Sequence, residues 1–265
     1  RAAMSIFSHV PHAVVFDTAF HQSMPEHAYT YAVPRELYRK YGLRRYGAHG
    51  TSHQFVSQEI AKMLGRDDLK QIVLHLGNGA SVSAVKNGKP IDTSMGLTPL
   101  EGLMMGTRTG DIDPAVVFHL QRVAGMSVDE VDTLFNKKSG MKGMTGESDM
   151  RSVWEVINNT SDPEASKRAR TAMDVYINRL LKYVGSYTAE LGGLDVITFT
   201  AGIGENDIDV RRELAEALAP FGVKIDVEAN KGRVKEPRIV SAPDSAVTLV
   251  VYPTNEELAI ARQAL

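Results

Sequence analysis

The sequence predicts an α/β fold in which a mixed β-sheet is flanked by helices. Three observations support this prediction. Three strand-like segments follow one another within residues 71–93 and are joined by tight turns. A β-branched and aromatic run at 196–200 leads through a glycine-bearing loop into a helical pattern, and the strand-like segment 247–252 is again followed by a helix. Hairpin-linked strands followed by strand–helix units give a mixed sheet with helices on its faces.

Composition restricts the classes of function. The chain has 265 residues, enough for one large or two moderate cores, and its 30 basic and 32 acidic residues nearly cancel. A chain without excess positive charge is not suited to nucleic acid or anionic membranes, so we expect neither as a partner. It contains no cysteine, which excludes disulfides and thiolate metal sites. No apolar run reaches the roughly 18 residues of a membrane span, and we expect a cytoplasmic protein.

The first predicted element is a buried strand over residues 13–16, which ends at Asp17. A carboxylate at the C-terminal end of a strand lies where α/β sheets bind their ligands, although an aspartate that caps a turn is the alternative. Because this run comes so soon after Arg1, we expect the chain to continue a longer protein. Residues 22–50 are rich in Tyr, Pro and Arg and predict a segment that wraps around the core.

An amphipathic helix is predicted over residues 54–64 and is closed by Gly65. His49 and His53 lie four residues apart just before and at its start, which resembles the spacing of a zinc-binding pair. Gly50 lies between them and disfavours the helix that such a pair needs, and no glutamate completes a protease motif. We therefore expect no zinc site here.

The strands predicted at 71–76, 80–85 and 89–93 are connected by two turns. Asn87-Gly88 is typical of a type I′ hairpin. The turn Gly77-Asn78-Gly79 offers backbone N–H groups that can bind an anion, and a plain hairpin turn is the alternative. His75 and Ser81 flank this turn with polar groups that a plain hairpin does not need.

Residues 94–112 form a long loop without a regular pattern, and such loops inside a domain are often functional. Arg108 lies in it between small residues, which suits recognition of a phosphate or carboxylate group. A surface ion pair between Arg108 and Asp111 is the alternative.

Helices are predicted at 114–123 and 128–137, the second with a capping box of Ser127 and Glu130. A glycine-rich turn at 139–147 and a short helix follow, and then a long helix runs from Pro163 to about residue 191. Its apolar positions have helical spacing and predict a core stripe rather than a cofactor site. They are Met173, Tyr176, Leu180, Val184, Tyr187 and Leu191.

The loop after the strand at 196–200 contains Gly202 and Gly204, and a helix is predicted at 209–218. Glycine turns before a helix allow the backbone to approach a nucleotide, although such a turn can also bind nothing. Acidic residues at 205, 207 and 209 would repel phosphates, so we expect an adenosine moiety here. The last helix is predicted to begin at 255 with Thr254 and Glu257 as its capping box, which leaves Glu256 free to contact a ligand.

Six short segments together resemble the acetate kinase family, and they occur in the family's order along the chain. They are residues 15–21, 49–53, 75–79, 106–111, 202–206 and 253–257. The strand order is similar to that of actin-like and sugar-kinase ATPases. The resemblance implies an actin-like ATPase (ribonuclease H-like) lobe, one complete lobe of a two-lobed kinase. It divides the chain into a remnant of the N-terminal lobe (1–21), a C-terminal nucleotide-binding lobe (22–257), and a helix (258–265) that packs back toward the first lobe.

The resemblance also implies roles for single residues. Asp17 corresponds to the active-site aspartate, His49 and Arg108 to groups that stabilise the transition state, and Glu256 to a magnesium ligand. The segments that correspond to nucleotide contacts are a phosphate loop, a short second contact and an adenosine loop. Their residues are His75, Leu76, Gly77, Asn78 and Gly79; Asp149, Met150 and Arg151; and Gly202, Ile203, Gly204, Glu205 and Asn206.

The implied reaction is the reversible transfer of a phosphoryl group from ATP to acetate, which gives acetyl phosphate and ADP, with Mg²⁺ (or Mn²⁺) and a homodimeric enzyme. Since acetate has a pKa near 4, it is already ionised at neutral pH and needs no general base. We therefore expect Asp17 to orient Mg²⁺ or the phosphoryl group.

The sequence departs from the family pattern in two respects. Members begin with a further strand, a phosphate-binding turn and a substrate-binding arginine that do not occur here, so we expect this chain alone to be inactive. The family usually has phenylalanine where this chain has Ala48, which with Pro99 corresponds to the pocket for the acetate methyl group. A missing ring predicts a relaxed preference toward propionate. The alternatives are a propionate or butyrate kinase, and a catalytically silent actin-like nucleotide-binding module.

Overall fold

A mixed sheet organises the computed structural model, which describes residues 2–232 and 236–264. Within these residues the sheet has six strands in the order β3-β2-β1-β4-β6-β5. The strands are β1 (Lys70–Leu76), β2 (Ala80–Lys86), β3 (Lys89–Thr93), β4 (Val196–Thr200), β5 (Arg238–Ile239) and β6 (Thr248–Val251). Strands β1 to β3 and β5 to β6 pair antiparallel, whereas β1, β4 and β6 run parallel. The predicted mixed α/β sheet is confirmed.

Twelve α-helices occur in the described part of the chain, together with two short 3₁₀ turns at Phe20–Ser23 and Ala219–Phe221. The first six are α1 (Ala2–Ile6), α2 (Glu26–Tyr29), α3 (Arg35–Tyr41), α4 (Gly50–Leu64), α5 (Ala115–Val123) and α6 (Val128–Lys137). The others are α7 (Gly140–Thr145), α8 (Met150–Asn159), α9 (Pro163–Leu191), α10 (Ala201–Asn206), α11 (Ile208–Ala217) and α12 (Glu256–Ala264). None of them is long and apolar enough to cross a bilayer.

The two faces of the sheet carry separate cores. Ile72 and Leu74 of β1 pack in the larger cluster with α9, whereas Val73 between them packs with α4 in the smaller one. Side chains of a strand alternate between its faces, so α9 and α4 cover opposite sides. The predicted stripe of α9 is buried at all six positions, and the capping box of α6 is present.

The parallel pairing brings two predicted ligand loops to one edge. His75 of β1 is in register with Thr200 of β4, so both strands end at the same level. Leu76 pairs with Ala80 and closes the turn 77–79 just beyond β1, while α10 starts directly after β4. This edge carries the candidate site.

The prediction of a strand at 13–16 is wrong. These residues have no regular structure, and Val14 and Phe16 are 74% and 70% exposed. An apolar run becomes a strand only where a neighbouring strand accepts its hydrogen bonds, and within the described residues no strand pairs with it.

Four other local predictions are corrected, and one strand was missed. Helix α4 starts at Gly50 rather than at 54, since His49 takes the left-handed conformation that opens it. The stretches 139–147 and 201–206 contain the short helices α7 and α10 rather than turns alone, and β5 was missed because it has only two residues. At α12, Asn255 rather than Thr254 is the cap, because its Oδ1 accepts from the Leu258 N–H at 2.9 Å.

Candidate active site

Asp17 is held at the start of α4 although no strand leads to it. Its Oδ2 accepts a hydrogen bond from the His49 N–H at 2.6 Å, and its carbonyl oxygen accepts from the Gly50 N–H at 2.7 Å. Its side chain is exposed, and within the described residues nothing bonds the other carboxylate oxygen. Asp17 thus binds two backbone N–H groups at the start of α4 and still has one carboxylate oxygen unengaged within the described residues.

Gly79 is the point where two of the predicted catalytic side chains meet. A Cβ atom placed on Gly79 would lie 3.3 Å from Arg108 Nη1 and 3.5 Å from His49 Nε2. A Cβ atom here would therefore be tight against Arg108 and in ordinary van der Waals contact with His49. The turn 77–79 has no residue with positive φ, so the glycine at 79 matters through its close approach to Arg108 and His49 rather than through backbone conformation.

The loop that carries Arg108 docks onto this turn. The Gly106 N–H donates to the Asn78 carbonyl at 3.1 Å, and a Cβ atom on Gly106 would overlap Asn78 Oδ1. The predicted alternative for Arg108, a pair with Asp111, is wrong, since Asp111 binds Arg179 at 3.3 Å and Tyr183 at 2.7 Å. Within the described part of the chain Arg108 has no carboxylate partner, and its guanidinium is available for an anion.

His49 and His75 stack with their ring centroids 4.1 Å apart. Burial lowers the pKa of His75 to about 3, and its Nδ1 lies 2.8 Å from the hydroxyl of Ser52. Burial also lowers the pKa of His49, while Asp17 partly opposes and Arg108 reinforces this shift. Both rings are therefore neutral at pH 7, and His49 can contribute hydrogen bonding, whereas the positive charge comes from Arg108.

A cleft of about 750 Å³ opens beside the turn 77–79. Its lining collects residues from all three predicted nucleotide-binding segments: Gly77, Asn78, Asp149, Met150, Arg151, Gly202, Ile203 and Asn206. The other predicted contacts do not line it. Leu76 and Gly204 are buried, and the Glu205 carboxylate accepts from the Thr254 N–H at 3.2 Å.

Sequence reasoning missed part of this cleft. Trp154 on α8 lines it and donates from Nε1 to Asp207 Oδ2 at 2.9 Å. Asp207 also caps α11 through the backbone N–H groups of residues 209 and 210, and burial raises its pKa. Trp154 is the chain's single tryptophan, which was an available signal. Asp149 is engaged as well, because it caps α8 and pairs with Arg151.

Glu256 lies close enough to Asp17 for the two carboxylates to interact electrostatically. Burial raises the pKa of Glu256, and the nearby Asp17 carboxylate raises it further. Two neighbouring carboxylates suit Mg²⁺, which binds one or two protein carboxylates and completes its shell with water and substrate phosphates. The described residues contain no cluster of three or more ligating side chains, so a cage formed by protein alone is not present there.

Ala48 and Pro99 lie on two different segments that reach the site. Ala48 is half-buried and packs against the large core cluster, directly before His49. Pro99 is exposed, and its carbonyl oxygen lies 3.4 Å from Arg108 Nη1. Ala48 is thus next to His49 in sequence, and Pro99 contacts Arg108, so both residues adjoin the group of Asp17, His49 and Arg108.

Comparisons with known proteins point to the same family as the sequence motifs at this site. The family model described as the acetokinase family matches residues 1–262. Acetate kinases of Leifsonia xyli and Corynebacterium aurimucosum are 56% and 53% identical over the whole chain, which spans 66% and 64% of their lengths. The chain therefore covers about two thirds of these relatives.

Solved structures give the same result. An acetate kinase of Porphyromonas gingivalis superposes with a TM-score of 0.89 at 46% identity, covering 94% of this chain and 62% of that one. A propionate kinase of Francisella tularensis superposes with a TM-score of 0.92 at 43% identity, covering 99% and 67%. The predicted actin-like ATPase lobe is confirmed, and the chain belongs to the acetokinase family.

Proposed function

We propose that the full-length protein is an acetate kinase, which reversibly transfers the terminal phosphoryl group of ATP to acetate. One observation carries this proposal: Arg108 and His49 converge on Gly79 beside the cleft that collects the predicted nucleotide segments. Phosphoryl transfer needs little covalent chemistry from the protein, and positioned donors and cations supply most of the catalysis. A module that only binds nucleotide has no need for an unpaired arginine at this place.

The geometry supports the following roles for the site residues. The nucleotide occupies the cleft with its terminal phosphate at the turn 77–79, where Arg108 balances the charge on the equatorial oxygens and neutral His49 donates a hydrogen bond. Asp17 and Glu256 would hold Mg²⁺, which neutralises phosphate charge when it is bound. Acetate lies between Ala48 and Pro99 with its carboxylate toward Arg108, already ionised for attack.

The test is an acetate-dependent phosphoryl-transfer assay. Because the chain spans about two thirds of its relatives' length, the assay uses the full-length protein that contains it, with this chain alone in parallel. We expect acetyl phosphate from ATP and acetate in the full-length protein, and nucleotide binding without turnover in the chain alone. Nucleotide binding without transfer by the full-length protein would contradict the proposal and favour the silent binding module.

The Asp17→Asn variant tests the role of this carboxylate. Asparagine keeps an oxygen that can accept from the His49 N–H, so the change removes charge and largely preserves the contact. We expect kcat to fall by about 100-fold, the scale of losing one electrostatic group in an active site. The exposed Asp67→Asn variant serves as control. Full turnover of Asp17→Asn at saturating Mg²⁺ would exclude the proposed role.

A second candidate function, propionate kinase, is favoured by Ala48, which leaves space where the family usually has a ring. In the Ala48→Phe variant we expect the preference for acetate over propionate to rise about tenfold, since one methylene in a pocket is worth roughly 1–3 kcal/mol. Competition between the two acids measures this ratio, with the KM for ATP as internal control. If the variant unfolds at the same temperature as the unaltered protein and shows the same ratio of acetate to propionate use, Ala48 does not line the pocket.

The remaining parts of the proposal rest on the resemblance to the family. We propose a homodimer that works in the cytoplasm with Mg²⁺, or with Mn²⁺ in its place. Sedimentation of the full-length protein measures the dimer, and a single species at monomer mass would exclude it.

A further inference from the structure

Ser81 lies between two imidazole rings in the interior of the site. Its Oγ is 2.9 Å from His49 Nδ1 and 2.7 Å from His53 Nε2. Ser81 belongs to β2 and His53 to α4, and both side chains are fully buried. The sheet thus fixes the Ser81 hydroxyl and α4 fixes the His53 ring. His49, at the start of α4, contacts the same hydroxyl.

The number of protons on these groups restricts the arrangement. A serine hydroxyl carries one hydrogen, so it can donate to only one of the two rings and must accept from the other. Within the described residues its oxygen has no third hydrogen-bonding partner, so an arrangement in which both rings donate would leave the hydroxyl hydrogen unpaired. Two directions of the hydrogen-bond series His53–Ser81–His49 remain. If Ser81 donates to His53, both neutral rings carry their proton on Nδ1. If Ser81 donates to His49, both carry it on Nε2.

The other nitrogen of His53 decides between the two directions. His53 Nδ1 is buried, and no hydrogen-bonding partner lies near it in the described structure. If Ser81 donated to His53, this nitrogen would carry a buried N–H without an acceptor, and such orphaned donors are rare. If His53 instead donates from Nε2 to Ser81, then Nδ1 keeps only a lone pair and Ser81 donates to His49 Nδ1.

We propose that Ser81, itself oriented by His53, is a positioning residue that holds neutral His49 in the tautomer with its proton on Nε2. This nitrogen is the one that faces Gly79, where the terminal phosphate lies if the proposed function is correct. The Ser81 hydroxyl therefore ensures that His49 presents a donor, and not a lone pair, to the transferring phosphoryl group. Since two like lone pairs repel, the other tautomer would oppose the phosphate oxygens.

The arrangement requires both rings to be neutral, and the hydrogen-bond geometry itself favours this. Burial, together with the neighbouring imidazoles His21, His75 and His49, lowers the pKa of His53 well below its ordinary value. A protonated His49 would reverse the Ser81 hydrogen bond and leave the orphaned N–H on His53.

The direct test is ¹⁵N NMR of the histidine side chains in this chain at pH 7.5, with signals assigned through His49→Gln and His53→Gln variants. We expect both rings to be neutral with the proton on Nε2. In Ser81→Ala we expect His49 to lose this preference and populate both tautomers. Ser83→Ala is the matched control, because Ser83 is equally buried on the same strand and binds His21 at 2.9 Å. A proton on Nδ1 of either ring in the unaltered chain would overturn the proposal.

Kinetics of the full-length protein complete the test. We expect Ser81→Ala to lower kcat by about 10- to 100-fold with little change in the KM for ATP, as for other groups that orient an imidazole. Ser83→Ala should retain kcat, and an equal kcat in Ser81→Ala would refute the positioning role. If the unaltered protein shows the expected tautomers but transfers no phosphoryl group, the proposed function fails and the proton arrangement stands.

Discussion

Replacement of Arg108 by alanine is expected to lower kcat for acetyl phosphate formation by about 1,000-fold in the full-length protein, with little change in the affinity for ADP. Arginines that stabilise phosphoryl transfer contribute factors of about 10³ to 10⁵. Arg108 has its guanidinium over Gly79, and among the described residues no carboxylate neutralises it. If the proposed function is correct, its charge acts mainly on the group that is transferred, which ADP lacks.

Two further variants make this result specific. Arg66→Ala removes an exposed arginine that pairs with Asp68 and should leave kcat unchanged. Arg108→Lys keeps the charge but loses the planar fork, so we expect an intermediate kcat. If Arg108→Ala kept kcat within tenfold of the unaltered protein, Arg108 would not be a catalytic residue, and the acceptor would have to lie elsewhere.

Replacement of Gly140 by alanine is expected to reduce the free energy of unfolding by about 2–5 kcal/mol. Gly140 has a φ of 61°, and a Cβ atom would lie 2.2 Å from the Met105 carbonyl oxygen and 2.6 Å from that of Arg108. The left-handed conformation costs roughly 1–2 kcal/mol for a residue with a Cβ atom, and overpacking adds roughly 1–3 kcal/mol. The clashing atoms belong to the backbone of the Arg108 loop, so kcat should fall with stability. Urea unfolding measures the first effect.

Gly146 provides the matched control at the other end of α7. It has a φ of 90°, but a Cβ atom there would contact nothing within 4 Å. Gly146→Ala should therefore show the conformational cost without the clash and without a loss of kcat. Equal destabilisation of the two variants would mean that backbone conformation alone, and not contact with the Arg108 loop, requires glycine at 140.

Local patterns predicted most of the regular structure because they depend on neighbours in sequence. The stripe of α9 follows from helical spacing of apolar residues, and the capping box at Ser127 from two side chains three residues apart. The run at 13–16 has the same local character as a strand and yet forms none, because a strand is decided by its partners. Thr254 failed as a cap for a similar reason. Its N–H and hydroxyl are engaged by Glu205 and Ser52, which are distant in sequence.

The sequence by itself singled out an arginine among glycines and a glycine turn between two strands, and its resemblance to the acetokinase family added His49 as a candidate. Only the tertiary structure decided how they act, because distances between segments and the loss of water do not follow from local spacing. It placed Arg108 and His49 over Gly79. Because burial lowers the pKa of His49 and of His75, both rings are neutral and Arg108 is the cation at this place. It also brought Ser81 between His49 and His53, a contact across about 30 residues of chain that requires the sheet and α4 to pack together.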